Sequence, residues 1–420
     1  MDKVFTVSII GCGSRGCDTY GQIMYKDKNH FKIVSLCDTD SERLKRYGTL
    51  FGVDQDLMFD NEQRFFEKKR SDVLVIATQD RDHVRMCIRA MELGYQILME
   101  KPISPVKEEL EDLLAAHKKY KNIVVVCHVL RYAPAFVKVN ELLDSGAIGR
   151  LVMIEALEQV AYWHQAHSFV RGNWRDDTST SPMIMQKCCH DLDLLQYYAA
   201  SAAQTVYSVG DLTFFTSDNK PKGAATRCKD CRFIESCPYS AEHIYVQRWK
   251  EFGCPADYWP FNVIAESPLT EEKLRTAYEN GQYGRCVFDC DNNVVDNQSV
   301  TVMFQNGVKA SLTMTAFTYE SCRKYTFHGT YGEIRLDEDR DLLSITRFGK
   351  KTEEFKISEL ITETSSFGHG GGDYGLIHSF YNVLTGKGTA ETSLEKSVES
   401  HFMALAAEQS RKSGRAINIH

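Results

Sequence analysis

Apolar and polar positions follow two different rhythms along the chain. In the first third, short apolar runs alternate with stretches of helical spacing. "VFTVSII" (4–10), "FKIVSLC" (31–37), "SDVLVIAT" (71–78), "YQILME" (95–100) and "NIVVVCHVL" (122–130) read as strands. Between them, "DHVRMCIRAMELG" and "KEELEDLLAAHKKYK" read as helices, the second with Leu110, Leu113 and Leu114 on its apolar face. Strands alternating with helices predict a parallel, doubly wound sheet that binds ligands outside the carboxyl ends of its strands. Further on the runs lengthen. "LVMIEALEQVAYW" (151–163) and "QSVTVMFQNGVKASLTMTAF" (298–317) are strand-like, and the second turns at Asn306-Gly307, a strong hairpin signal. "DYGLIHSFYNVLTG" and "EKSVESHFMALAAEQSRKSG" are late amphipathic helices.

Composition narrows the class. The chain has 420 residues, 43% hydrophobic and 25% charged, enough to bury a sizeable core over two or three domains. A net charge of −7 argues against a nucleic-acid partner. No run approaches the ~18 apolar residues of a membrane span. "MDKVFTVSIIGCG" moves straight into a strand and a glycine turn, which predicts a cytoplasmic protein without a signal peptide. The fourteen cysteines are then expected to be reduced thiols, most of them packed, with metal ligation where they cluster.

The first strand runs into Gly11-x-Gly13-x-x-Gly16 and a helix, and the second strand ends at Asp38. This is a dinucleotide-binding pattern in its required setting. Gly11 permits the tight turn, Gly13 lets the backbone approach a pyrophosphate, and Gly16 lets helix pack close to strand. Ser14 and Arg15 belong to the same turn. Asp38 would accept from the ribose hydroxyls and repel a 2′-phosphate, which favours NAD over NADP.

A later strand ends in Glu100-Lys101-Pro102. Together with the glycine turn, this pairing resembles the Gfo/Idh/MocA family of oxidoreductases. "ATQDRDH" (with Gln79 at the usual proline), "LRYAPAF", "LLDSGAIGRLVMIEA" and "HGTYGEIRLD" match it too. The resemblance covers residues 1 to about 210 and resumes near 285. It implies an NAD-binding Rossmann domain over 1–127 and, over 128–420, an α/β domain with a large open, mainly antiparallel sheet. That second domain would carry the substrate pocket and the contact of a dimer or tetramer. The cysteine-rich segment at about 211–285 is an insert. By the resemblance, Lys101 binds the reacting hydroxyl and Glu100 orients it. Thr78, His83 and Arg131 join the cofactor site, and Tyr132 and His164 the substrate site.

In "SPMIMQKCCHDLDLLQYY", Gln186, His190 and Asp193 stand at i, i+4 and i+7, one narrow arc if the helix is continuous. The resemblance makes His190 the proton acceptor or its partner and puts Gln186 where the family has an aspartate. Lys187 is a further substrate candidate, although Lys187 and Asp191 also suit a surface pair. Trp163 and His167 share the pocket loop with His164. "SFGHGGGDYG", with His369 and Asp373, suits a mobile flap or a plain linker equally well.

Cys228-x2-Cys231-x5-Cys237 looks like a zinc knuckle lacking its fourth ligand. Cys286 is the first candidate for the fourth ligand, with Cys290, Cys254 and His243 behind it. The spacing does not fit the usual iron–sulfur runs, so a structural zinc is expected.

Three functions follow. The first is an NAD-dependent oxidoreductase acting on a secondary hydroxyl of a sugar, sugar derivative or cyclitol, with Lys101 and His190 handling the proton. The second is a redox-neutral glycoside hydrolase or lyase working through a transient keto-sugar, with Tyr162, His164 or His369 as the extra acid or base. The third is a nucleotide sensor with a degenerate site, favoured only by Gln186.

Overall fold

The computed structural model describes residues 3–361 and 368–419. Ser366 and Phe367 of the glycine-rich stretch lie outside the described residues, as do Met1, Asp2 and His420. The first sheet has six strands: β1 (Phe5–Ile10), β2 (Phe31–Cys37), β3 (Met58–Phe59), β4 (Val73–Ile76), β5 (Gln96–Met99) and β6 (Val124–Val126). They lie in the order β3-β2-β1-β4-β5-β6, and every pairing is parallel. All four β4 side chains are buried, as expected for a strand covered by helices on both faces. The strand order reverses between β1 and β4, which opens a crevice at their carboxyl ends.

The second sheet has nine strands: β7 (Leu151–Ala161), β8 (Ala203–Asp211), β9 (Asn297–Phe304), β10 (Lys309–Thr318), β11 (Cys322–Gly329), β12 (Gly332–Asp337), β13 (Leu342–Arg347), β14 (Glu353–Lys356) and β15 (Ile417–Asn418). Their order is β14-β13-β12-β11-β7-β10-β9-β8-β15, with β7 and β10 parallel and the other pairs antiparallel. β9 alternates strictly between buried and exposed side chains, so one face of the sheet is covered and one is open. The β9–β10 hairpin turns at Asn306-Gly307, where Gly307 has a φ of +86°. The expected two-part α/β architecture is therefore present.

The boundary near residue 128 needs one refinement. Helix Gly372–Leu384 sends Leu376, Ile377, Phe380 and Tyr381 into the core that holds Phe5, Val7 and Phe31. Helix Leu394–Ser413 lends Leu394 and Val398 to the opposite face, beside Leu74 and Ile97. The first sheet is thus clothed partly by the end of the chain. Sequence periodicity marks these helices as amphipathic but does not say which sheet they cover.

The insert between β8 and β9 has its own core, in which Ile244, Tyr245, Trp249, Phe261 and Leu274 pack against Trp163 and Val170. It reaches the first domain through Asp257, whose carboxylate stands 3.2 Å from the Arg46 guanidinium. No described helix is long and apolar enough to cross a membrane.

Candidate active site

The glycine turn has the shape a dinucleotide needs. Gly11 has a φ of +88°, and a Cβ there would stand 2.3 Å from the Ala77 carbonyl oxygen; a Cβ on Gly16 would stand 1.9 Å from Gly11 O. A Cβ on Gly13 would meet only the Arg43 guanidinium, at 4.0 Å. Two of the glycines are therefore demanded by packing, while the third faces open space. That space is a cleft of about 620 Å³, lined by Gly13, Ser14, Arg15, Asp38, Thr78 and, from the second domain, Trp174. Asp38 is fixed in the cleft wall, accepting from the amides of Cys12 (2.6 Å) and Asp40 (2.9 Å). These residues fit NAD. Trp174 was not foreseen, because only the tertiary fold brings it to the glycine turn.

At the end of β5, Glu100 is 4% exposed and fully engaged. It accepts from Arg15 Nε (2.7 Å), the Tyr20 hydroxyl (2.7 Å) and the Lys101 amide (2.7 Å). Burial alone would raise its carboxyl, but Arg15 and Lys101 outweigh burial and hold it below the usual range. Arg15 also grips Asp373, with Nη2 2.6 Å from Oδ1. Arg15 is therefore spent on carboxylates while it lines the cleft wall. The Lys101–Pro102 bond is cis, and Lys101 Nζ donates to the Gln186 carbonyl at 3.3 Å.

Several residues expected in the site do something else. His83 places both ring nitrogens on backbone carbonyls, of Pro102 at 2.8 Å and Thr78 at 3.1 Å, so it braces the loop instead of reaching a ligand. Arg131 makes a bidentate pair with Asp193, both distances 2.7 Å, and both residues are buried. Tyr132 bonds Thr392 Oγ1 at 3.0 Å. Arg131 and Tyr132 thus tie elements together.

The arc of Gln186, His190 and Asp193 does not form. The helix ends at Gln186 and resumes at Cys189. The backbone departs from the helix at Cys188, and Lys187 just before it pairs with Glu158 of β7 at 3.1 Å. The Gln186 amide turns to Asp80, with Nε2 3.2 Å from Oδ2. Asp191 is no surface residue: it is buried, accepting from Arg323 Nε (2.9 Å) and the Tyr325 hydroxyl (2.7 Å). Arg323, which also meets Glu158 at 2.9 Å, carries no sequence signal that marks it for this role.

His190 is buried within electrostatic reach of Lys101. Burial lowers its pKa well below the ordinary value, and the charge of Lys101 and the neighbouring His128 and His369 add to that. It is therefore a neutral imidazole near pH 7, and its Nδ1 has no hydrogen-bond partner among the described residues. The His369 ring lies 6.0 Å away, with its Nδ1 2.9 Å from Asp373 Oδ2. The close turn at Gly368 makes that pair: a Cβ there would stand 2.0 Å from the Asp373 carboxylate. His164 lies within the electrostatic reach of Lys187 and Lys101, and burial lowers its pKa as well. His167 is absorbed by the insert, bonding the Tyr245 hydroxyl at 3.0 Å and stacking on Tyr283.

Buried neutral histidines make an acid-sensitive frame. His401 Nε2 accepts from the Ile103 amide at 2.8 Å and so carries no proton there. Burial lowers His401 and His167 to about 3. Below about pH 6.5 the unfolded chain binds protons that these folded rings refuse. Stability should be intact above neutral pH and fall from about pH 6.5 towards 3, by about 1.4 kcal/mol per pH unit for each ring. Urea midpoints at pH 7.5 and 5.5 would test this; equal midpoints would contradict it.

Comparison with known proteins places this geometry. Residues 5–128 match an oxidoreductase family described by its NAD-binding Rossmann fold, GFO_IDH_MocA, and residues 140–419 match its C-terminal alpha/beta domain. YteT of Bacillus subtilis (strain 168), which carries an oxidoreductase name, is 25% identical over 394 residues, 89% of this chain and 88% of that protein. The 2,7-anhydro-N-acetylneuraminate hydratase of Mediterraneibacter gnavus is 20% identical over 262 residues, 62% of this chain and 64% of that one. A solved levoglucosan dehydrogenase complex with NADH superposes with a TM-score of 0.72 at 16% identity, covering 100% of both chains. At that identity the likeness is one of fold.

Proposed function

Since the chain belongs to the Gfo/Idh/MocA oxidoreductase family, we propose that it moves a hydride between NAD and a secondary hydroxyl of a sugar, sugar derivative or cyclitol. The observation that carries this reading is Lys101, set by Glu100 at the carboxyl end of β5 within electrostatic reach of a neutral His190. Bound in the cleft of Gly13, Asp38 and Trp174, NAD would supply the hydride acceptor. The Lys101 ammonium stabilises the alkoxide that develops as hydride leaves, and His190 takes the hydroxyl proton. Near this pair, His164 and the Lys187–Glu158–Arg323 charge cluster supply polar groups that suit a polyol. The test is reduced-nicotinamide absorbance with a panel of sugars, cyclitols and glycosides. A steady rise with one class would establish the dehydrogenase; no rise and no product with any of them would sink this reading.

Asp38 supports NAD as the preferred cofactor. Asp38→Ser should weaken NAD by about tenfold, the effect of one lost hydrogen bond of about 1.4 kcal/mol, and narrow the preference over NADP. Fluorescence titration with both nucleotides measures it, and an unchanged ratio would remove Asp38 from the selection.

One observation favours the redox-neutral alternative. His369, paired with Asp373, is a second histidine with its ring 6.0 Å from that of His190, and a plain dehydrogenase needs only one proton acceptor. A relative named as a hydratase fits the same idea. Release of sugar from a glycoside with a flat nicotinamide signal would decide for it. We also place a contact between copies of the chain on the open sheet face, where Tyr207, Val209, Met303 and Phe317 are exposed; a light-scattering mass tests it.

A further inference from the structure

The insert holds chemistry that hydride transfer does not use. Cys228, Cys231, Cys237 and Cys286 line one small cavity of about 50 Å³. The first three are close in sequence, and backbone pairing delivers the fourth. Arg227 and Arg285 form an antiparallel bridge, and the Cys286 amide donates to Thr226 O at 2.9 Å. Cys286 therefore rejoins the knuckle from the far end of the insert.

Hydrogen-bond donors face these sulfurs from several sides. The Ala241 amide donates to Cys228 Sγ at 3.4 Å. The amides of Tyr239 and Phe288 face the sulfurs of Cys237 and Cys286, each from two residues ahead. Arg171, 1% exposed, points its guanidinium into the same cavity. Its Nη2 lies 3.6 Å from Cys228 Sγ and 2.7 Å from Tyr239 O, its Nε donates to Arg285 O at 2.7 Å, and its Nη1 has no partner. None of these partners is a carboxylate. A buried cation paired with neutral groups is costly, and anionic sulfur would offset it.

We propose that Cys228, Cys231, Cys237 and Cys286 bind one divalent, thiophilic metal ion, zinc, in a closed structural site that Arg171 neutralises in part. Four thiols lose four protons to water as four sulfur–metal bonds form, leaving a net charge of −2 that one guanidinium reduces to −1. Among the described residues no three such side chains stand at metal-ligand spacing, so binding must draw the 228–237 loop and Cys286 together.

The other candidates are engaged elsewhere. Cys290 turns its thiol to Cys286 O at 3.3 Å and does not line the cavity. His243 turns Nδ1 to Cys237 O at 2.9 Å and props the knuckle backbone. Cys254 is exposed and does not line the cavity. The site lies under the insert that carries Trp259 to Trp163 and His164, so the ion would set the shape of the pocket mouth.

The full-length protein, purified without chelator, should carry about one zinc per chain by elemental analysis. X-ray absorption should show four sulfur neighbours at about 2.3 Å. Cys286→Ser should lose most of the metal, whereas Cys290→Ser should keep it. After chelation, cobalt should restore a tetrahedral thiolate spectrum in the wild-type and Cys290→Ser proteins. Absence of metal from the wild type, a nitrogen- or oxygen-dominated shell, an iron–sulfur chromophore, or loss in Cys290→Ser with retention in Cys286→Ser would each overturn the assignment. The wild-type absorption measurement decides even if a variant fails to fold.

Discussion

Lys101→Ala should lower turnover by roughly 10²–10⁴-fold while leaving NAD binding nearly unchanged. Two features separate the effects. Lys101 does not line the cleft of Gly13 and Asp38, so truncation spares the nucleotide's contacts there. Its backbone amide, not its side chain, holds Glu100, so the Arg15–Glu100–Tyr20 network survives. What is lost is the ammonium to which the proposed function gives the alkoxide, and its bond to the Gln186 carbonyl. Stopped-flow turnover and nucleotide titration on one preparation measure the two quantities. A variant that keeps wild-type turnover would show that the chemistry happens elsewhere.

Asp193→Ala should cost about 3–5 kcal/mol, because it leaves the Arg131 guanidinium buried without its carboxylate. Arg131 is 4% exposed and Asp193 1%, so water cannot replace the lost partner. That cost is a large share of the roughly 5–15 kcal/mol that typically holds a domain together. The double variant Arg131→Met with Asp193→Leu should recover much of the loss, since it removes both charges and keeps volume. Chemical denaturation of the three proteins gives the cycle. A single-variant cost below about 1 kcal/mol would mean that the pair is not the tie between these elements that its geometry implies.

The parts of this site that were legible beforehand are those whose reasons are local. Gly11, Gly13 and Gly16 act within one turn, and Asp38 ends the next strand, so spacing alone located them. Lys101 was found through its motif. Gln186, His190 and Asp193 share an arc only on a continuous helix; the break at Lys187–Cys188 takes Gln186 out of it, while His190 and Asp193 stay on one helix and Arg131 claims the Asp193 carboxylate. Arg323, Trp174 and the grip of Arg15 on Asp373 join residues far apart in the chain, where neither periodicity nor spacing carries information. Glu100 was expected to orient Lys101, and it accepts that residue's amide; its main charge partner, Arg15, was assigned to the cofactor.

The clothing of the first sheet by helices Gly372–Leu384 and Leu394–Ser413 has a consequence for how the protein is made. During synthesis, the first sheet emerges well before the two helices that cover it. Its strands can pair early, yet Phe5, Val7 and Phe31 keep an uncovered apolar flank until the final helices arrive. A fragment ending near residue 128 would carry that flank permanently and should aggregate. Nascent chains would need protection over most of their synthesis, and the whole protein, not the half, is the unit that folds.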